Sequence, residues 1–222
     1  MDTLRTMTVG NRDMAATAAR RSPLPVYLFA AYAVFWTAMA IAPLDRFDWF
    51  LENLLVFAAA PWLIHMYLRR PLSDVSYILL VLFFCLHTIG SHYTYSEAPI
   101  GYWVSDLLGL ERNHYDRAVH FSFGLLMCYP LHELIARTAQ PRGNWSLTFA
   151  VMAVCTFSLA YETMEWIVAA IVSPEASLAF LGTQGDVFDA QKDGALAALG
   201  SIITALIAVW VGKRRGALGR RA

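Results

Sequence analysis

Val75–Tyr93 reads VSYILLVLFFCLHTIGSHY, nineteen consecutive residues without Asp, Glu, Lys or Arg. A transmembrane helix needs about 20 mostly apolar residues to cross a hydrocarbon core roughly 30 Å thick, so this stretch predicts a span. Five more stretches have similar character: Pro25–Pro43, Trp49–Leu68, Val119–Ala136, Leu147–Val172 and Asp189–Val211. Most are separated only by short polar connections, at 45–48, 69–74 and 137–144. Helices joined that tightly pack as antiparallel neighbours. The expected fold class is therefore all-α, a multi-pass transmembrane bundle of about six helices.

Composition agrees. Of 222 residues, 58% are hydrophobic and 15% charged, against roughly 45–50% and 25% in soluble domains. Net charge is zero and the pI is near 7.0, which gives no sign of nucleic acid as a partner; membrane lipid is the partner this composition names. Cys85, Cys128 and Cys155 lie inside apolar runs without CxxC spacing and read as buried apolar filler. Residues 1–24 hold Arg5, Arg12, Arg20 and Arg21 but no apolar core. No small-residue cleavage pattern follows the first apolar run, which reads as a retained helix.

Lys and Arg near helix ends favour the cytoplasmic side. Thirteen of the seventeen basic residues fall in the N-terminal tail, the second and fourth loops and the C-terminal tail. Both termini are thus expected in the cytoplasm. The chain divides into a cytoplasmic tail (1–24), a six-helix transmembrane domain (25–212) and a basic cytoplasmic tail (213–222). Two loops on the opposite side are long. In Thr94–Ala118, the piece Gly101–Leu110 is amphipathic and carries Tyr102 and Trp103, suited to lying at the interface. In Ser173–Phe188, the glycines of Leu181-Gly-Thr-Gln-Gly-Asp186 suggest a tight capping or re-entrant turn. No internal repeat is evident, which gives an inverted-repeat transporter no support.

Ionisable groups inside membrane helices are costly, and function is their default explanation. Glu162 and Glu165 stand three apart, on one face of the fifth helix. A rise of about 1.5 Å per residue puts them roughly 22 and 27 Å above Leu147, in the outer third of the membrane. Asp186, Asp189 and Asp193 follow a three- and four-residue spacing at the start of the sixth helix, although Asp186 equally suits an N-cap. Lys192 is expected to project elsewhere and reach the interface. Asp116 and His120, at i and i+4, open the fourth helix; a carboxylate one turn from a histidine fixes its tautomer or shares a metal with it. His87 and His92 end the third. His65, His132 and Glu133 fall at the opposite ends and read as interfacial, with Glu133 placed to pair with Arg137. Gly194, Ala198 and Ser201, with Gly200 beside them, give the sixth helix a small face for close packing.

Several of these segments together resemble a known family. His92-Tyr-Thr-Tyr95, Glu111-Arg-Asn-His-Tyr-Asp-Arg117 with His120-Phe121, Tyr161-Glu-Thr-Met-Glu-Trp166, and Leu181-Gly-Thr-Gln-Gly-Asp-Val-Phe-Asp189 with Gln191 and Asp193 are similar to the YjdF-like bacterial inner-membrane proteins. The resemblance covers roughly residues 25–212 and implies a multi-pass protein of the bacterial inner membrane; it implies no activity. A weaker likeness is to the VanZ-like membrane proteins, through Asp116-Arg117 with His120 and Glu162 with Asp189, Asp193 and Gly200. Glu165 departs from that pattern, where Gln is usual.

The residues allow three readings. The first is a metal-dependent or acid/base enzyme at the outer leaflet, acting on a lipid-linked or envelope substrate. Its candidate catalytic residues are Glu162, Glu165, Asp189, Asp193, Asp116 and His120, and Glu162, Glu165, His120 and Asp189 would ligate a divalent metal ion. The second is a small proton-coupled transporter. The third is a binding or assembly module whose buried acids pair with Arg112 and Arg117.

Overall fold

The computed structural model describes residues 22–218; the expectations for residues 1–21 and 219–222 lie outside them. Among the described residues the chain is all helical. In order, the helices are α1 (Leu24–Met39), α2 (Arg46–Glu52), α3 (Leu54–Arg69), α4 (Asp74–His92), α5 (Pro99–Leu108), α6 (Tyr115–Thr138), α7 (Trp145–Ile171), α8 (Pro174–Leu181) and α9 (Asp189–Leu218). Five segments are long and apolar enough to span: α2–α3 taken together (Arg46–Arg69), α4, α6, α7 and Asp189–Arg214 of α9. The sixth expected span is the 16-residue apolar α1, about 24 Å at 1.5 Å per residue and so shorter than its sequence run of 25–43.

The second expected span is two helices, because Asn53 interrupts it. Asn53 is fully buried; its Oδ1 accepts from Trp36 Nε1 at 2.6 Å and its Nδ2 donates to the Trp49 carbonyl at 2.7 Å. The preceding residues 45–48, expected as a loop, form the start of α2. Asp45 caps it by accepting from the backbone N–H of Phe47 and Asp48 at 2.8 and 2.9 Å. This break matters because it turns Asp48 and Glu52 inward.

The packing centre is the α6–α9 pair, with α7 against both and α4 on the other flank of α6. The close crossing uses small residues, but not all of those expected. A Cβ on Gly124 of α6 would lie 1.9 Å from the Ala197 carbonyl oxygen, and one on Gly200 would lie 2.3 Å from the Phe121 carbonyl oxygen. Gly194 meets nothing within 4 Å. The small face is therefore Ala197, Gly200 and Ser201, one helical step round from the expected Gly194, Ala198 and Ser201. Thr204 adds a hydroxyl bond to the Leu125 carbonyl at 2.6 Å.

At the end of the bundle away from the acidic residues, Glu133 of α6 accepts from the Ser73 backbone N–H at 2.9 Å and from the Ser73 and Ser76 hydroxyls, and it pairs with Arg137. The i,i+4 pair with Arg137 is present as expected, and Glu133 is buried. Among the cysteines, only Cys128 is fully buried; Cys155 is exposed on the outside of α7. Helix α5 forms from the segment expected to be amphipathic: Gly101 and Ser105 face inward and Trp103 and Leu107 face out. Residues 174–181, expected as loop, form α8, begun by Pro174 at the position where its missing N–H costs nothing. On the far side of α4, an apolar cleft of about 330 Å³ is lined by α1, α3 and α4, among them Phe29, Tyr32, Leu63, Tyr67, Tyr77 and Phe84.

Candidate functional site

Two straps build the site at the acidic end. The first, Glu111–His114, leads into α6; the second, Gly182–Phe188, leads into α9. They are tied by a reciprocal amide pair: Asn113 N–H donates to Gln184 Oε1 at 3.0 Å, and Gln184 Nε2 donates to the Asn113 carbonyl at 2.9 Å. Asn113 Nδ2 also donates to the Ala98 carbonyl at 2.9 Å, and Gly101 is required beneath it, since a Cβ there would lie 1.8 Å from Asn113 Oδ1. Gly182 and Gly185 take positive φ values of 54° and 84°, the conformation glycine adopts without strain. The expected tight turn is thus present.

Charge reinforces the straps. Arg112 Nη1 lies 2.8 Å from Asp189 Oδ1, and Arg117 Nη2 lies 3.0 Å from the same oxygen. Arg117 and Lys192 also bond Asp186. Lys192 therefore folds back onto Asp186 instead of projecting elsewhere. Asp186 precedes α9 and accepts from the Phe188 N–H at 3.1 Å. Lys192, the Phe188 N–H and Arg117 hold its carboxyl well below the usual carboxylate range. The neighbouring His114 is pushed down by burial first, then by Arg117 and Arg112.

A second set of side chains meets beside these ion pairs. Asp116, His120 and Asp193 each offer one ligand atom, and these atoms lie within 4.8 Å of one another. His120 Nε2 is 3.6 Å from Asp116 Oδ1 on its own helix and 3.3 Å from Glu162 Oε1 on α7. Asp193 is 2% exposed, and among the described residues its Oδ1 has no hydrogen-bond partner. Glu162 Oε1 is likewise buried without one, its approach to His120 lacking hydrogen-bond alignment. Glu165 sits beside Glu162, within hydrogen-bonding reach of it.

Of the residues singled out in the sequence, Asp116, His120, Asp193 and Glu162 therefore converge. Asp189 faces the two arginines, and Glu165 lies behind Glu162. His87 is a satisfied buried residue: its Nε2–H donates to the Glu52 carbonyl at 3.1 Å, so its Nδ1 accepts from the Tyr95 hydroxyl. His92 Nδ1 donates to the Met39 carbonyl at 2.7 Å and joins α4 to the end of α1. Sequence reasoning missed Asp48, Glu52 and Tyr161. Glu52 is 2% exposed and accepts from the Tyr161 hydroxyl, a contact across 109 positions. The i,i+4 spacing of Asp48 and Glu52 was the available signal. Tyr95, outside the spans, is held well above its usual value by burial first, then by the charges of Glu52 and Asp116; its neighbourhood ties the α2 acids to the same polar region.

An all-helical chain with five spanning helices and a carboxylate–imidazole cluster buried at one end is a multi-pass membrane protein. It belongs to the family described as "Predicted membrane protein (DUF2238)", whose profile matches residues 24–214. It is also 35% identical to "Inner membrane protein YjdF" of Escherichia coli (strain K12) over 163 residues, 73% of this chain and 78% of that one. No solved structure matches it. The family resemblance drawn from the sequence is thereby confirmed, and the chain is an integral protein of the bacterial inner membrane.

Proposed function

We propose that the protein is a metal-dependent enzyme of the outer membrane face, acting on a lipid-linked or envelope substrate, with Asp116, His120 and Asp193 as ligands of one divalent ion. The observation that carries this reading is the convergence of those three donors within 4.8 Å, one of them a buried carboxylate with an unpartnered oxygen. Donors bound to one ion at about 2.0–2.2 Å stand roughly 3–4 Å apart, a small closure from this arrangement. Nitrogen and oxygen donors suit Zn²⁺, Mn²⁺ or iron, and the ligand types do not choose among them. Three protein ligands leave a position for water, and Glu162, beside His120, is the group to take its proton. The basic residues at the opposite end support the outward placement, and the site's place near one end of the bundle favours a lipid-linked substrate.

Metal analysis of the purified protein tests this. The equivalent held by this centre is expected to be lost in Asp193→Asn and His120→Gln. A protein that retains no metal and binds none of Zn²⁺, Mn²⁺ or Fe²⁺ after exhaustive dialysis would sink the proposal. The assembly reading draws its support from Asp189, whose pairing with Arg112 and Arg117 pins the start of α9 to the strap before α6.

A further inference from the structure

The acids of α2 border the centre just described without supplying any of its three ligands. Asp48 and Glu52 are one helical turn apart, hence neighbours on one face, and are 4% and 2% exposed. Among the described residues, neither oxygen of Asp48 has a hydrogen-bond partner, and no Lys, Arg or His forms an ion pair with either carboxyl. The nearest base in the same helix is engaged elsewhere: Arg46 Nη1 donates to the Ala40 carbonyl at 2.8 Å, and its guanidinium lies 5.1 Å from the Trp49 ring. Both His87 nitrogens are committed, to the Glu52 carbonyl and to Tyr95.

Protonation does not resolve this site. An ionised Asp48 has two acceptors without donors, and a protonated one could hand its hydroxyl only to Glu52, which leaves its second oxygen unmet and the Glu52 charge buried. Burying either form in that state is costly. A positive ion between the two carboxyls satisfies both at once.

We infer that Asp48 and Glu52 form a second cation site, for a hard divalent ion such as Mg²⁺, Ca²⁺ or Mn²⁺, built on the α2 turn and closed by Tyr161. The donors are all oxygens, the set such ions prefer. Tyr161, bonded to Glu52, stands one turn before Glu165 in α7, so occupation of this site braces the helix face that carries Glu165. The site does not depend on a metal at Asp116, His120 and Asp193.

Mn²⁺ is the probe. The full chain, purified in detergent and stripped with chelator, is titrated while free Mn²⁺ is read by electron paramagnetic resonance, beside thermal melts with and without the ion. Asp193→Asn should keep the Mn²⁺ equivalent that Asp48→Asn loses, and Glu52→Gln should lose it too. In chelator, Asp48→Asn should melt above wild type, because an uncompensated buried carboxyl is gone; in Mn²⁺ the order should reverse. Unchanged Mn²⁺ binding in Asp48→Asn, or melting order independent of Mn²⁺, would overturn the inference. Unchanged Mn²⁺ and zinc content in Asp193→Asn, with loss in Asp48→Asn, would overturn the first centre and leave this one standing.

Discussion

His120 Nε2 lies 3.3 Å from Glu162 Oε1 across two helices, and no arginine shares that carboxyl. The two side chains are brought together by the α6–α7 packing. Replacing Glu162 by Gln removes charge without stranding a partner, so the protein should fold and melt at or above the wild-type temperature. If Glu162 steadies the His120 ligand, metal affinity should fall about 10–100-fold. Equilibrium dialysis beside thermal melts measures both; a large loss of stability would show that Glu162 is a structural partner.

Asp189→Asn should behave in the opposite way. It takes from Arg112 and Arg117, both mostly buried, the carboxylate charge of Asp189 while Asp186 still pairs with both, and losing charge-assisted bonds of this kind costs about 1.5–3 kcal/mol. Chemical unfolding in detergent should show that loss, with metal content per folded molecule unchanged.

The helix crossing makes a sharp contrast among glycines. Gly200→Ala places a methyl group 2.3 Å from a carbonyl oxygen, and overpacking of this kind costs about 1–3 kcal/mol. Gly194→Ala meets nothing within 4 Å and should stabilise by up to about 1 kcal/mol through helix propensity. The two melts, run side by side, check the crossing.

Topology is decided by labelling. In a protein whose native cysteines are replaced, Asp106→Cys on α5 should react with an impermeant maleimide in intact spheroplasts, and Asn144→Cys only after the membrane is opened. The reverse pattern would place the acidic end in the cytoplasm.

Acid should loosen the straps before the core. Asp186 has a folded-state pKa below its unfolded value, so its contribution is fully present above the unfolded value of about 3.9 and is lost as pH falls further. The stability gap between wild type and Asp186→Asn should be constant from pH 7 to about 5, begin to narrow below about pH 4 and still be open at pH 3.

Most of the architecture was legible because span length and apolar content are direct consequences of bilayer thickness. Where reading failed, the cause was local. Nothing in the apolar run after Trp49 announces that Asn53 bonds Trp36 and breaks the helix, so the sequence places Asp48 in a loop and Glu52 inside a continuous span. In the site, the i,i+4 signal for Asp116 and His120 was sufficient. Asp189 and Asp193 looked equivalent, sharing a face one turn apart; only the positions of Arg112 and Arg117, fixed by the Asn113–Gln184 pair from two distant loops, separate the paired aspartate from the unpaired one.

The apolar cleft between α1, α3 and α4 bears on how the molecule survives outside its membrane. Helix α1 packs mainly on α4, and the cleft beside it presents almost nothing polar, so water gains no foothold there. Hydrocarbon is the filling that such a lining suits, and an annulus of it would seat α1. Short-chain detergents that strip this annulus should free α1 first, while the α6–α9 crossing, sealed by backbone contact, holds its register.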